Sequence, residues 1–269
     1  ADITKLRKMT GAGMMDCKNA VTEANGDFDG AMKIIREKGQ AVAAKRSDRE
    51  ASEGCVLVKV ADGFGAIIAL KCETDFVAKN EDFIKLTQAI LDAAVANKCK
   101  TLEEVKALSM GDATIEQAVT DRSGITGEKM ELDGYMTLEG ASIATYNHQG
   151  KNFLCTMVAL NKEVDPKVGH EVAMQIAAMN PIAVNEAGVP ADVLEKEKEI
   201  AADKARQEGK PENMIEKIAM GRIGKFYKEV CLLNQEYIQD AKKTVADYLK
   251  SVDKDLTVTA FKRFTLRAE

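Results

Sequence analysis

Apolar residues in the first forty positions recur at helical spacing, and glycine-containing turns interrupt them twice. One stripe ends at Gly11-Ala12-Gly13, a second ends at Asn25-Gly26, and a third runs between a possible cap at Asp27 and Gly39. This pattern predicts three short helices over residues 1–39, followed by a small, charged linker over residues 40–53. So small a bundle is marginal alone, which favours a docking module attached to a larger body.

The pattern then changes to strand alternation. Apolar runs at 55–60 and 66–72 flank Asp62-Gly63, which predicts a β-hairpin, and an amphipathic helix capped by Asn80 follows. Residues 140–189 repeat this order of strand, turn, strand and helix. We interpret residues 54–139 and 140–189 as two copies of a hairpin-plus-helix unit.

From Pro190 onward the chain is helical and highly charged. A Gly209-Lys210-Pro211 break divides residues 190–228 into two helices with a narrow apolar seam, which predicts a projecting antiparallel hairpin. Residues 229–269 predict a short helix and a strand that returns to complete a sheet. On that strand, alternation places five side chains on one face: Val258, Ala260, Lys262, Phe264 and Leu266. The fold class expected from all these elements is α+β.

Charge and cysteine usage limit the possible functions. The formal net charge is −5, which argues against a dedicated nucleic-acid binder and favours a protein partner. The six cysteines are scattered, without metal-ligand spacing, and are expected to be reduced and mostly buried. No apolar run reaches membrane-spanning length and the amino terminus lacks a signal pattern, so we expect a soluble, cytoplasmic protein. We expect no cofactor.

The sequence contains no recognisable catalytic motif. It has no phosphate-binding loop, no GxSxG and no HExxH. Its two histidines, His148 and His170, are expected on the surface. These observations indicate a binding protein rather than an enzyme.

Two segments carry a more specific signal. Thr10-Gly11-Ala12-Gly13-Met14-Met15-Asp16-Cys17-Lys18, continuing to Asp27, resembles the amino-terminal signature of the elongation factor Ts family. Cys72 followed by Thr74-Asp75-Phe76-Val77-Ala78 and Asn80 resembles the second signature of that family. The resemblance implies a ubiquitin-associated-like (UBA-like) amino-terminal module, a duplicated core, a helical hairpin and a carboxy-terminal module. It also implies exchange of guanine nucleotide on elongation factor Tu as the function.

The resemblance assigns the central contact to Asp75 and Phe76, with Thr74 and Val77 beside them. In the family this pair enters the GTPase domain of elongation factor Tu near the nucleotide and magnesium. From the residues alone, the pair follows a strand and precedes a helix, so both side chains could project from a rigid support. The alternative is that Phe76 packs under its own helix while Asp75 caps that helix.

Nucleotide exchange requires an extended interface, because a factor that weakens nucleotide binding must bind the nucleotide-free partner correspondingly more tightly. The resemblance adds four residues of the amino-terminal module to the interface: Arg7, Met14, Met15 and Lys18. The alternative for the two methionines is core packing, which we expect for at least one of them.

Two further positions depart from the family pattern. Gln175 stands where the family often has a histidine that contacts elongation factor Tu. Asn234-Gln235-Glu236-Tyr237 replaces a common Asn-Gln-Pro-Phe, and Ile238 directly after it is included as a contact. The helical hairpin is a possible homodimer interface.

Other functions remain as alternatives. The first is an adaptor that binds a ubiquitin-like or other small protein through Met14 and Met15, with no role for Asp75 and Phe76. The second is an RNA-associated factor, for which Phe261-Lys262-Arg263-Phe264 is the only hint, and an enzyme comes last. An exposed Phe76 would favour the exchange factor, whereas a buried one would count against it.

Overall fold

The computed structural model describes residues 2–267. Its amino-terminal module consists of three helices with a small apolar core around Leu6, Cys17 and Ile35. The helices are α1 (Asp2–Thr10), α2 (Met14–Glu23) and α3 (Phe28–Lys45).

Helix α3 extends past the predicted end at Gly39, so residues 40–45 are helical rather than part of a linker. The segment after Gly39 is rich in alanine, a strong helix former. The end of the helix is also held from outside, since the Arg46 guanidinium donates to the carbonyl of Ser123 at 2.9 Å. Asp27 is the N-cap residue of this helix, as predicted, but its side chain accepts no hydrogen bond from the helix.

The core consists of two three-stranded antiparallel sheets with helices on their outer faces. The elements up to the end of the first sheet are β1 (Glu53–Ala61), β2 (Phe64–Cys72), α4 (Asp75–Ala78), α5 (Glu81–Ala96), α6 (Leu102–Ala107), β3 (Ser109–Met110), β4 (Ala113–Thr114), α7 (Ile115–Thr126) and β5 (Glu131–Glu139). The remaining elements are β6 (Ser142–Asn147), β7 (Leu154–Leu160), α8 (Pro166–Met179), α9 (Ala191–Gln207), α10 (Glu212–Val230), β8 (Glu236–Tyr237), β9 (Asp240–Thr244), α11 (Val245–Val252) and β10 (Val258–Thr265).

The strand order is β1-β2-β5 in the first sheet and β10-β7-β6 in the second. In each sheet a predicted hairpin is followed by a helix that packs on it, α5 on the first and α8 on the second. The hairpin-plus-helix pattern therefore occurs twice, as expected. Strand β5 was not predicted from the sequence.

The two sheets face each other across a shared core, and this explains why β2 and β7 are apolar on both faces. Ile67 and Ala69 of β2 meet Met157 of β7 between the sheets, whereas Ile68 and Leu70 face α5. A strand buried on both sides shows a continuous apolar run rather than alternation.

Strand β10 pairs with β7, as the predicted return to a sheet requires, but its five alternate residues do not share one face. A β-bulge between Val258 and Ala260 shifts the register, so Val258 packs toward α8 while Ala260 and Phe264 lie between the sheets. An extra residue in one strand reverses the facing of every side chain beyond it. Lys262 is exposed.

Helices α9 and α10 form the predicted helical hairpin, with Gly209 in the left-handed conformation at the turn (φ +78°). An ion pair between Arg222 and Glu208 (2.8 Å) joins the second helix to the turn. The seam between the helices contains five buried side chains: Ala201, Ala205, Ile215, Ala219 and Ile223. Among the described residues, no helix is both long and apolar enough to cross a membrane.

A candidate partner-binding site around Asp75 and Phe76

Phe76 is the most exposed large apolar side chain among the described residues, with 84% of its surface accessible to solvent. It lies in α4, a single helical turn between β2 and α5. The pair Asp75-Phe76 therefore occupies the first turn of a short helix rather than a stretch before any helix, which corrects the expected placement. Phe76 does not pack under its own helix, so the alternative structural role is excluded for this side chain.

The one-turn helix is fixed at both ends. Thr74 is its N-cap and accepts a hydrogen bond from the backbone N–H of Val77. Val77 and Ala78 turn inward and pack against the core beneath β1 and β2. Successive side chains of a helix point in different directions. Phe76 therefore points outward while Val77 and Ala78 face the core. Asp75 forms an exposed ion pair with Lys79 one turn later (3.7 Å) and does not cap the helix.

A carboxylate that the sequence did not single out supports this helix from below. Glu128, in the loop between α7 and β5, accepts hydrogen bonds from the backbone N–H groups of Glu73 and Thr74, both at 3.0 Å. Its other oxygen accepts from the Thr74 hydroxyl at 2.7 Å. No local pattern marks Glu128, because its partners lie more than fifty positions earlier in the chain.

All four residues of the amino-terminal module that are expected to contact a partner are exposed. Met14 and Met15 are 59% and 64% exposed, which corrects the expectation that at least one packs in the core. Cys17 and Ala20 fill that core instead, since α2 turns their side chains inward. Arg7 and Lys18 are exposed as well.

The carboxy-terminal candidates divide into an exposed and a buried residue. Ile238 is 41% exposed, whereas Gln175 is completely buried. The Gln175 amide oxygen accepts from the backbone N–H of Ile238 (2.9 Å), and its nitrogen donates to the carbonyl of Glu236 (3.0 Å). The predicted direct contact of Gln175 with a partner does not fit this burial; the side chain instead holds the segment that presents Ile238.

The cysteine side chains are buried, and the two histidines pack against a tyrosine. All six cysteines are free and buried. Burial raises the pKa of Cys72, close to the candidate site, to about 12, so its thiol is a poor nucleophile near neutral pH. His148 and His170 both lie edge-on to Tyr146, far along the chain from the exposed pair. His148 is half-buried rather than fully at the surface, while His170 is exposed as predicted. Within residues 2–267 no group of three or more histidine, cysteine or carboxylate side chains could hold a metal ion.

The fold and the site together define a class of protein: an α+β protein that presents an acidic and an aromatic side chain to solvent on a short, hydrogen-bonded turn, with a helical module beside its core. Comparison with known proteins gives the family. The family model described as Elongation factor TS matches residues 73–268. The chain is 62% identical to elongation factor Ts of Bacteroides fragilis and 59% identical to that of Phocaeicola vulgatus, each comparison covering 100% of this chain and 98% of the relative. It is 56% identical to elongation factor Ts of Porphyromonas gingivalis, again over 100% of this chain and 98% of the relative.

The chain therefore belongs to the elongation factor Ts family. Membership implies a nucleotide-exchange factor for elongation factor Tu in translation elongation, which is not an enzyme in the usual sense.

Proposed function

We propose that this protein accelerates GDP release from elongation factor Tu by inserting Asp75 and Phe76 beside the nucleotide and its magnesium ion. The observation that supports this mechanism is the 84% exposure of Phe76 on a turn whose neighbours are anchored in the core. A large aromatic side chain held in solvent by a rigid support is suited to fill a gap in a partner. The adjacent Asp75 carboxylate can disturb hydrogen bonds around a magnesium and phosphate site without acting as a base.

The remaining interface supplies the free energy that a single wedge cannot. Inverting even a 1:99 population requires about 5.5 kcal/mol of differential binding. Met14 and Met15 offer adaptable apolar contacts, and Arg7 and Lys18 offer positive charge beside them. Ile238, held in place by Gln175, adds an apolar contact from the carboxy-terminal side.

The test is the release of a fluorescent GDP analogue from elongation factor Tu in the presence of excess unlabelled GDP, with and without this protein. Wild-type protein is expected to accelerate release strongly. Phe76→Ala is expected to lower the maximal rate by about 30-fold, the size of a hot-spot loss of about 2 kcal/mol. Val60→Ala serves as the matched control, because it truncates another exposed apolar residue, in strand β1. This variant should behave as wild type.

The outcomes separate the function from its mechanism. If folded wild-type protein leaves the rate of GDP release unchanged, the exchange function is refuted, and the exposed Met14 and Met15 then favour an adaptor. If acceleration survives in Phe76→Ala, exchange stands but the wedge does not, and the wider interface carries the coupling.

A further inference from the structure

We infer that Glu128 is a positioning residue for nucleotide exchange, which fixes the direction in which Asp75 and Phe76 leave the core. This inference rests on the proposed function and extends it to a residue that does not itself project toward the partner. The carboxylate of Glu128 is half-buried behind the turn, whereas the pair it supports is exposed.

Three hydrogen bonds converge on this one carboxylate. One oxygen accepts from two successive backbone N–H groups, those of Glu73 and Thr74, and the other accepts from the Thr74 hydroxyl. Hydrogen bonds to an ionised acceptor are shorter and stronger than neutral ones. Since Thr74 is also the N-cap of α4, Glu128 fixes both the backbone and the side chain of the residue at which the turn begins.

Glu128 can act as an anchor because its own backbone is held. The Ser123 hydroxyl donates to the carbonyl of Glu128, and the N–H of Lys129 donates to the Glu73 carboxylate at 2.9 Å. The Lys129 ammonium reaches two backbone carbonyls of the segment after α3, those of Ser47 (2.7 Å) and Arg49 (2.9 Å). The residues around Glu73 and Glu128 thus bind each other reciprocally, so hydrogen bonds in both directions join the strand end to the loop.

The same loop also touches the amino-terminal module. The side chain of Ile125, at the end of α7, lies so close to Gly11 that a Cβ added there would meet it at 1.9 Å. Gly11 has a left-handed backbone (φ +70°) and begins the turn that leads to Met14 and Met15. One short segment, residues 123–129, therefore supports two of the exposed parts of the proposed interface, the turn with Phe76 and the amino-terminal module.

The anchor matters because a single helical turn has no stability of its own. Without the Glu128 carboxylate, the backbone N–H groups of Glu73 and Thr74 can donate hydrogen bonds to water instead, because Thr74 lies at the surface. The cost then falls on the orientation of Asp75 and Phe76 rather than on the global fold. A loss of positioning lowers the maximal rate of GDP release, whereas a loss of folded protein lowers only its effective concentration.

The experiment compares Glu128→Ala with Glu128→Gln and Glu116→Ala in the fluorescent-GDP assay, with the factor varied to saturation. Glu128→Ala is expected to lower the maximal release rate about tenfold, with a smaller change in the half-saturating concentration. Glu128→Gln should recover most of the rate, because its amide oxygen still accepts from both N–H groups while its nitrogen donates to the Thr74 hydroxyl. Glu116→Ala, which removes an exposed carboxylate from the same helix–loop region without touching the turn, should match wild type.

A double variant and a second readout decide the assignment. Glu128→Ala combined with Phe76→Ala should lose less than the two single losses multiplied together, because both changes act through the same turn. Hydrogen–deuterium exchange in residues 73–78 of the free protein should be faster in Glu128→Ala and unchanged in Glu116→Ala.

Each contrary result refutes a definite statement. Additive losses in the double variant, unchanged exchange in residues 73–78, or a wild-type rate for Glu128→Ala would overturn the positioning role while leaving the exchange function intact. If wild-type protein fails to accelerate GDP release from elongation factor Tu, both the exchange function and the positioning role are refuted. This outcome is seen before any variant is compared.

Discussion

The two hairpin-plus-helix units share a framework but use the segment between strand and helix differently. In the first unit, residues 73–80 between β2 and α5 form the exposed turn that presents Phe76. In the second, residues 161–165 between β7 and α8 are shorter and are tied to the carboxy-terminal segment, for example by an ion pair between Lys162 and Asp253 (3.1 Å). One unit leaves its connection exposed to solvent, whereas the other uses it to fasten the chain to itself.

The helix of the second unit is fastened to the carboxy-terminal segment as well. Helix α8 is covered by the carboxy-terminal segment, which Glu171 and Gln175 hold from one face of the helix. Glu171 accepts hydrogen bonds from the hydroxyls of Tyr237 and Tyr248, both at 2.6 Å, and the two rings stack 4.2 Å apart. A repeated fold can therefore expose the connection of one copy and use the other copy for structural closure without changing its core.

The largest expected effect contrasts two phenylalanines of the first unit. Phe83→Ala removes a completely buried ring from α5 and should lower the free energy of unfolding by about 3–5 kcal/mol. Phe76→Ala removes an exposed ring and should change it by less than about 0.5 kcal/mol. Urea unfolding followed by circular dichroism measures both, and a large stability loss in Phe76→Ala would mean that the ring is a core residue rather than a contact.

An intermediate effect is expected at Glu171, which holds the carboxy-terminal segment against α8. Hydrogen bonds from Tyr237 and then Tyr248 lower the pKa of Glu171, so the ionised form is favoured in the folded state. The resulting stability is present above the ordinary glutamate pKa of about 4.3 and is lost as the pH falls through the lowered folded value. Glu171→Gln should cost about 1–3 kcal/mol at pH 7, a difference that shrinks below about pH 4.

The matching measurement is urea unfolding of wild type and Glu171→Gln from pH 3 to pH 11. At the alkaline end, burial and, to a smaller extent, the hydrogen bond to Glu171 raise the pKa of Tyr248 to about 12. The free energy of unfolding therefore also falls as the pH rises above about 10. A constant difference between the two proteins across the acidic range would show that the glutamate charge does not contribute to the fastening.

The smallest effect is expected at the exposed turn itself. Lys79→Ala breaks the surface ion pair with Asp75, and pairs of this kind contribute about 0.5 kcal/mol or less. The free energy of unfolding and the maximal rate of GDP release should both stay close to wild type. A loss of exchange as large as that of Phe76→Ala would instead identify Lys79 as a contact in its own right.

Much of the architecture could be predicted from the sequence, because hairpins and amphipathic helices depend on neighbouring residues. The Asn80 cap is confirmed, since its side chain accepts from the N–H groups of Asp82 and Phe83. The hairpin at Asp62-Gly63 and the break at Gly209 are also present as predicted. The helical end at Gly39 failed as a prediction because contacts with α7 extend α3 beyond it.

The candidate site was predictable in its exposed residues and not in its support. A motif drew attention to Asp75 and Phe76, but nothing local indicated Glu128, and Gln175 gave no sign that it would be buried. The bulge after Val258 was equally hidden, because alternation alone cannot show where a strand gains a residue.

By itself the sequence determined the two hairpins with the helices that follow them, the repeated unit and the pair of residues on which function is proposed to depend. The hairpins, the helices and the repeat follow from spacing and turn chemistry, which act over a few residues, whereas the pair was assigned by its resemblance to a family signature. Only the tertiary structure decided which residues are buried between the sheets, that Phe76 points into solvent, and that Glu128 fixes the turn beneath it. These depend on contacts between segments far apart in the chain, whose free energy arises from packing and desolvation once the segments have met.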